Sequence, residues 1–375
     1  MTPEENETLT RVGPGTPGGA MLRRYWWPVW FDELVTDRPV PVTLLGEDFV
    51  LFRDGSGRVG MVAAACAHRG ALLELGRVEQ GGIRCCYHGW LYDSSGACVE
   101  MPAEPAGNRL CQEVRLKSAK VEIAAGLVFA YLGPDPAPLL PRYDLLARED
   151  CDREIWAKDD HCNWVQRAEN GVDPYHSMSL HASVYPSMAM KRPEASNTPT
   201  WYGFRNQSEY PGGKRNVSHH IFPSTTRRHG ARAGQVPSEY LHIRVPTTDI
   251  LTTTFYVKSR FKPEGPYKHE CHGMERTERG IYKRVEDGWW NLESEEQDRA
   301  AQESQGLIHD RTREFLATSD GGVVKWRKMA FESIEAVRQG RDPTGVVRDA
   351  AQNKLITFDA GKNFTDHERA LGEVR

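Results

Sequence analysis

Cys66-Ala-His68-Arg-Gly70 and, after sixteen residues between His68 and the next cysteine, Cys85-Cys-Tyr-His88-Gly-Trp90 are the segments on which the reading of this chain turns. Each brings one thiol and one imidazole and is followed by a glycine that lets the backbone turn back tightly. Four such donors suit either of two centres. A tetrahedral zinc ion accepts two thiolates and two imidazoles. A two-iron cluster takes the thiolates on one iron and the imidazoles on the other. Zinc usually draws on Cys-x2–4-Cys and His-x3–5-His pairs, and a Cys-x-His gap is short for chelating one ion.

The flanking sequence predicts a small all-β domain over residues 40–141. Val42–Leu45 and Phe49–Phe52 are followed by Asp54-Gly-Ser-Gly57, a hairpin turn before Val59–Ala65. Val121–Ile123 and Leu127–Leu132 flank Ala125-Gly126, and the run from Pro134 to Pro141, unable to donate to a ladder, marks the boundary. Residues 1–39 form an N-terminal segment expected to pack with the second domain, with a short helix over 17–27 and a strand over Tyr25–Trp30. Residues 142–375 read as α+β. Trp164–His181 is helical in part, and Tyr240–Val245, Pro246–Asp249 and Ile250–Val257 make an antiparallel hairpin. Ser294 with Gln297 fits a capping box for a helix that Gly306 ends, and a second helix over 320–339 stops at Gly340. Residues 205–235, rich in Gly, Pro and polar groups, are expected to be a mobile loop.

At 375 residues the chain is long enough for two cores. A net charge of −4 gives no electrostatic case for nucleic acid or an acidic membrane. No apolar run approaches the roughly 18 residues of a membrane span, and Met1–Glu7 is polar, so a cytoplasmic location is expected. The eight cysteines then read as reduced thiols and metal ligands rather than disulfides.

Asn170-Gly-Val-Asp173-Pro-Tyr-His176-Ser-Met-Ser-Leu-His181 carries the second constellation. An oxygen-activating iron(II) needs two imidazoles and one carboxylate on one face, leaving positions open. A five-residue gap turns a helical side chain by about 140°, so a distorted or broken turn is predicted. Pro174 suits a first helical turn, with Asp173 as its cap. Taken alone, His176 and His181 could equally be surface histidines. The carboxylate must come from downstream, where Glu295, Glu296 and Asp298 compete.

The first constellation resembles the Rieske family, whose motif is C-x-H-x15–17-C-x-x-H. That pattern selects Cys85 over Cys86, which is expected to be a small packed residue. The disulfide cysteines of the respiratory subclass are absent, with Ala71 and Tyr87 at the relevant positions, so the cluster resembles the oxygenase type. Its potential should lie near the low end of roughly −150 to +300 mV. The pattern N-x2-D-x2-H-x4-H resembles oxygenases related to phthalate dioxygenase, as do Trp26-Trp-Pro28 and Asp310–Leu316. The resemblance implies a [2Fe–2S] cluster on Cys66, His68, Cys85 and His88, and an iron(II) on His176, His181 and Asp298. It implies that Asp173 links the two centres, and that the fold is a Rieske domain with an antiparallel-sheet, helix-grip (START-like) catalytic domain. A trimer or hexamer is implied, in which one subunit's cluster faces its neighbour's iron. Electrons would come from NADH through a separate flavin/iron–sulfur reductase. The substrate would be a small aromatic molecule, best an aromatic carboxylate, which is dihydroxylated, monohydroxylated or demethylated with O2. Arg205 and Arg244 are candidates to meet the carboxylate. A Rieske electron carrier without oxygenase activity and a zinc-stabilised binding protein are the alternatives.

Overall fold

The computed structural model describes residues 1–359 except 106–107, 214, 231–237 and 287. The chain divides into two compact units, Arg23–Leu140 and Met1–Leu22 with the residues from Pro141 onward. The first is built of short antiparallel strands: β1 Trp27–Phe31, β2 Val40–Leu44, β3 Glu47–Arg53, β4 Val59–Ala63, β5 Arg77–Glu79, β6 Gly82–Arg84, β7 Leu91–Tyr92, β8 Cys98–Glu100, β9 Lys120–Ala124 and β10 Leu127–Tyr131. They form three sheets, β1-β10-β9, β2-β3-β4 and β5-β6-β7-β8. Ala125 and Gly126 both take positive φ, 53° and 78°, the pair of left-handed residues that a tight hairpin turn requires. β1, grouped by sequence with residues 1–39, here pairs with β10. Val50, Phe52, Val62, Leu73, Ile83, Trp90 and Tyr92 pack into one core that also contains Cys66 and Cys85.

The second unit carries an eight-stranded sheet of β11 Cys151–Asp160, β12 Glu194–Thr200, β13 Gly203–Glu209, β14 Arg215–Ile221, β15 Thr225–Gly230, β16 Ser238–Pro246, β17 Thr252–Phe261 and β18 His269–Glu275. Its order is β12-β13-β14-β15-β16-β17-β11-β18, antiparallel except for the parallel β11–β18 pair. The helices Trp164–Asn170, Ser294–Ser304 and Gly321–Arg338 belong to the same unit. The architecture is thus α+β, as expected: one small β unit, and one unit built on a large, mainly antiparallel sheet. The N-terminal turn is tied in by the Asp249 carboxylate, which accepts from Val12 N–H at 2.8 Å.

The mobile loop expected over 205–235 is not what forms. Three strands, β13 to β15, occupy most of it, while 214 and 231–235 lie outside the described residues. In β13 Phe204, Asn206 and Ser208 are buried while Arg205, Gln207 and Glu209 are partly exposed. The period of two is present, but the inward-facing groups are mostly polar. An apolar alternation, the usual strand signal, is therefore missing.

Charge holds the helices together. Glu169, on the helix Trp164–Asn170, accepts from Arg311 through Nε at 3.1 Å and Nη2 at 3.0 Å, and from Arg327 Nε at 2.6 Å. Arg327 also donates from Nη2 to Glu314 Oε2 at 3.0 Å. Arg311 is 1% exposed. Burial pushes the Glu169 carboxyl up, yet the two guanidiniums prevail and hold it below the ordinary range. Glu169→Gln leaves the buried Arg311 without its anion, while Arg327 keeps Glu314, which should cost about 3–5 kcal/mol. A carboxyl lowered in the folded state stabilises above its unfolded value, about pH 4.3, and that stability is lost as pH falls through the folded value. In urea unfolding the deficit of Glu169→Gln should therefore be full at neutral pH and shrink on acidification below that point.

Candidate metal centres

The two Cys/His segments fold into matching loops. Cys66 N–H donates to Ala71 O at 2.9 Å and Gly70 N–H to Cys66 O at 2.9 Å. In the second loop Cys85 N–H donates to Trp90 O at 2.9 Å and Gly89 N–H to Cys85 O at 3.1 Å. Gly70 and Gly89 close them with φ of 75° and 76°, a region that favours glycine. At Gly89 a Cβ would also lie 2.8 Å from Pro102 Cγ.

These loops point thiols inward and imidazoles outward. Cys66 and Cys85 are buried, His68 is exposed and His88 half-buried. The His68 and His88 ring centroids are 4.4 Å apart, and His68 stacks on Trp90 at 4.6 Å. Tyr92 OH lies 3.2 Å from Cys66 Sγ, a donor for a thiolate. Burial, with Cys85 alongside, pushes the Cys66 thiol up. A buried thiol that resists ionisation calls for a cationic centre before it can serve as a thiolate ligand.

The donor spacing bears on which centre fits. Ligand atoms of a tetrahedral zinc lie roughly 3.3–3.8 Å apart, given its bond lengths. Among the described residues, the group of three or more metal-type donors that all lie within 4.8 Å of one another is His176, His181 and Asp298, not any set from Cys66, His68, Cys85 and His88. Two thiols and two imidazoles, one of each per loop, are the donor set that a two-iron cluster takes. Cys86, expected to be packed, is exposed, because the loop that buries Cys85 turns its neighbour outward.

The second constellation sits on an interrupted helix. Asn163 Oδ1 accepts from Val165 N–H at 3.1 Å and starts Trp164–Asn170, and a new helix runs over His176–Leu180. The break is held from the sheet: Asn206 Nδ2 donates to Gly171 O at 3.1 Å and Asn197 Nδ2 to Val172 O at 3.0 Å. A Cβ at Gly171 would lie 2.8 Å from His220 Nδ1 and 2.9 Å from Thr226 Oγ1. Asp173 is not the helix cap expected. Tyr175 holds that position, and Asp173 Oδ1 accepts from Tyr175 N–H at 2.8 Å in a local turn. Its other oxygen lies 3.5 Å from His176 Nδ1. His181 follows the second helix, at φ −98° and ψ 18°, with its ring 5.2 Å from that of His176.

Asp298, on the helix Ser294–Ser304, meets both histidines. Its Oδ1 lies 3.2 Å from His181 Nε2 and 3.6 Å from His176 Nε2, and accepts from Asn170 Nδ2 at 3.1 Å. Burial opposes the carboxylate, but His181 and His176 hold it below the ordinary range. Burial likewise opposes an imidazolium at His176, and Asp173 and Asp298 lift its pKa. The rival carboxylates are engaged elsewhere: Glu295 Oε1 accepts from Arg167 Nη2 and Tyr256 OH, each at 3.0 Å, and Glu296 pairs with Lys158 and Arg299. Gln297 does not form the expected capping box; the helix has no side-chain cap, and Gln297 Oε1 instead lies 2.9 Å from His181 Nδ1. Sequence reasoning missed this, and only its place beside Asp298 could have hinted at it.

The two arginine candidates differ. Arg205 is spent on an ion pair with Asp359 at 2.7 Å. Arg244 is 4% exposed, donates from Nη1 to Thr226 Oγ1 at 2.7 Å, and its Nε meets no acceptor. Burial and nearby Arg167 push its pKa down.

Comparison with known proteins identifies the family. Residues 26–120 match the Rieske [2Fe-2S] domain. The chain is 35% identical over 375 residues to the 5,5'-dehydrodivanillate O-demethylase oxygenase subunit of Sphingobium sp., covering 95% of this chain and 86% of that one. It is 32% identical over 394 residues to the phenoxybenzoate dioxygenase subunit alpha of Ectopseudomonas oleovorans, covering 96% and 92%. Its fold resembles the terminal oxygenase of carbazole 1,9a-dioxygenase from Nocardioides aromaticivorans, with a TM-score of 0.66 at 22% identity over 90% of this chain and 98% of that one. Among the described residues no helix is long and apolar enough to cross a membrane.

Cys85→Ser should abolish the red-brown chromophore and the paramagnetic signal of the reduced cluster, while Cys86→Ser keeps both. Visible absorbance and electron paramagnetic resonance check this, and a coloured Cys85→Ser protein would overturn the choice of Cys85.

Proposed function

The chain belongs to the Rieske non-haem iron oxygenases as an oxygenase subunit, and from that premise we propose that it hydroxylates or oxidatively demethylates a carboxylated aromatic substrate, with His176, His181 and Asp298 holding an iron(II) and Cys66, His68, Cys85 and His88 a [2Fe–2S] cluster. The cluster supplies single electrons when bound, and the iron supplies the position at which dioxygen reacts. The observation that carries the reading is the convergence of His176, His181 and Asp298, whose ligand atoms lie within 4.8 Å of one another. Two imidazoles and one carboxylate are the donor set that suits such an iron. A Rieske electron carrier would have no use for this second donor set or for the sheet that supports it.

The remaining roles fall to the residues around the ligands. Asp173 Oδ2 stands 3.5 Å from His176 Nδ1, close enough to favour the tautomer that turns Nε2 to the metal. In the implied oligomer, trimer or hexamer, it would also accept from a cluster imidazole and so couple the two centres. Asn170 holds the Asp298 carboxylate by its amide. Arg244 favours an anionic substrate, because the buried Nε of its guanidinium meets no acceptor. Arg228 adds a second cation on the same face: its Nη2 lies 3.9 Å from Glu295 Oε2 and its guanidinium 5.0 Å from the Tyr240 ring. The relatives named for dehydrodivanillate and phenoxybenzoate act on carboxylated aromatics by name, which supports the same class. A separate flavin/iron–sulfur reductase would deliver electrons from NADH in the cytoplasm.

With a reductase supplied, aromatic carboxylates should drive NADH and oxygen consumption, and their methyl esters should do so at least about tenfold less well, since an ester cannot pair with a guanidinium. Faster turnover of the esters would overturn the anionic substrate. Asp298→Ala should lower iron from about three to about two per chain with cluster absorbance intact. A third iron retained in that variant would instead move the carboxylate role to Glu295 or Glu296.

A further inference from the structure

We propose that Gln297 is the positioning residue for His181: its side-chain carbonyl selects the tautomer that offers Nε2 to the metal and holds the ring in place. The assignment rests on the iron reading above and concerns a residue that reading does not use.

Hydrogen-bond accounting fixes which way the amide points. Gln297 is fully buried. Its Nε2 lies 2.7 Å from the backbone carbonyl of Trp290, which can only accept, and 3.0 Å from Ser183 Oγ. Ser183 Oγ donates its own hydrogen to that same carbonyl, so toward Gln297 it can only accept. Both N–H groups of the amide are thus taken on one side. The carbonyl oxygen must face the other way, where His181 Nδ1 lies at 2.9 Å. An amide oxygen cannot donate, so Nδ1 carries the proton and Nε2 keeps a lone pair. Nε2 is the nitrogen 3.2 Å from Asp298 Oδ1.

The two histidines are therefore oriented by different chemistry. His176 has a carboxylate behind it, Asp173, whereas His181 has a neutral amide. One turn of the helix Ser294–Ser304 supplies both the Asp298 carboxylate and the group that aims its partner imidazole. The turn Trp289–Asn291 matters through its carbonyl, and Trp290, half exposed, need not contribute its ring. Removing the acceptor behind a metal-bound imidazole typically weakens metal binding by about 10- to 100-fold.

The test is anaerobic rebinding of Fe(II) to enzyme stripped of its mononuclear iron by a chelator, with cluster absorbance as the internal control. Gln297→Leu should raise the Fe(II) dissociation constant by about 10- to 100-fold. A double-mutant comparison separates positioning from general damage: in a His181→Ala background the same substitution should cost nothing further. A loss under about threefold in the single variant, or an equal loss in both backgrounds, overturns the proposal. Should Gln297→Leu fail to fold, Ser183→Ala removes one of the two anchors of the amide. It should weaken Fe(II) by about threefold or more, and unchanged affinity would count against the assignment. Asp298→Ala keeps the two levels apart. Loss of iron there with wild-type affinity in Gln297→Leu defeats only this inference, whereas iron retained there overturns Asp298 as the carboxylate ligand of the reading on which it rests.

Discussion

Two imidazoles five residues apart cannot address one point from a continuous α-helix, because each residue turns the side chain by about 100°. The helix His176–Leu180 accordingly ends before His181, which stands at φ −98° and ψ 18°, outside regular helix, and a separate break precedes His176. The helix stops at Asn170 and resumes at His176, and the broken turn between them exposes carbonyls that a continuous helix would have satisfied. Asn197 and Asn206, paired across β12 and β13, donate to two of them. Gly171 lets His220 and Thr226 approach the break. A sheet that must serve an interrupted helix carries amides, hydroxyls and imidazoles on its covered face where a simpler fold would carry valine and leucine. Hydrogen bonds such as those of Asn197, Asn206 and Ser224 make this buried polarity tolerable.

This polarity explains where the sequence could be read and where it could not. The cluster segments were legible because ligand chemistry is local: thiol, imidazole and glycine recur at short spacing in both loops. Asp298 could be matched by resemblance, though nothing in the local pattern separates it from Glu295. The distinction is made by Arg167 and Tyr256, distant in sequence, which engage Glu295. The stretch 205–235 was misread for the reason just given, since Asn206, Ser208 and His220 face inward where strand patterning expects apolar residues. Gln297 was misread for a related one. Ser-x-x-Gln at a helix start satisfies the capping pattern, but a longer-range hydrogen bond to His181 takes the side chain, and the helix begins without a side-chain cap.

The small unit solves a different electrostatic problem. Its thiols lie within an apolar core and its imidazoles at the surface, so each pair experiences its own dielectric environment. The thiol side is insulated from water, with Tyr92 OH as a directed donor. The imidazole side, with His68 stacked on Trp90, is left where another polar group can reach it. With sulfur inside and nitrogen outside, exposed His68 and half-buried His88 stand nearer the surface of this unit than Cys66 and Cys85.

The two cluster loops are near-copies, each closed by its own pair of backbone hydrogen bonds and its own left-handed glycine. They meet where His68 stacks on Trp90. The residues between them, including the β5–β6 hairpin with its exposed turn at Gln80-Gly81, act as a spacer whose length the metal does not dictate. In evolutionary terms this is a modular joint: insertions or deletions at the hairpin tip leave both half-sites intact, so the domain can acquire new surface there without renegotiating its chemistry.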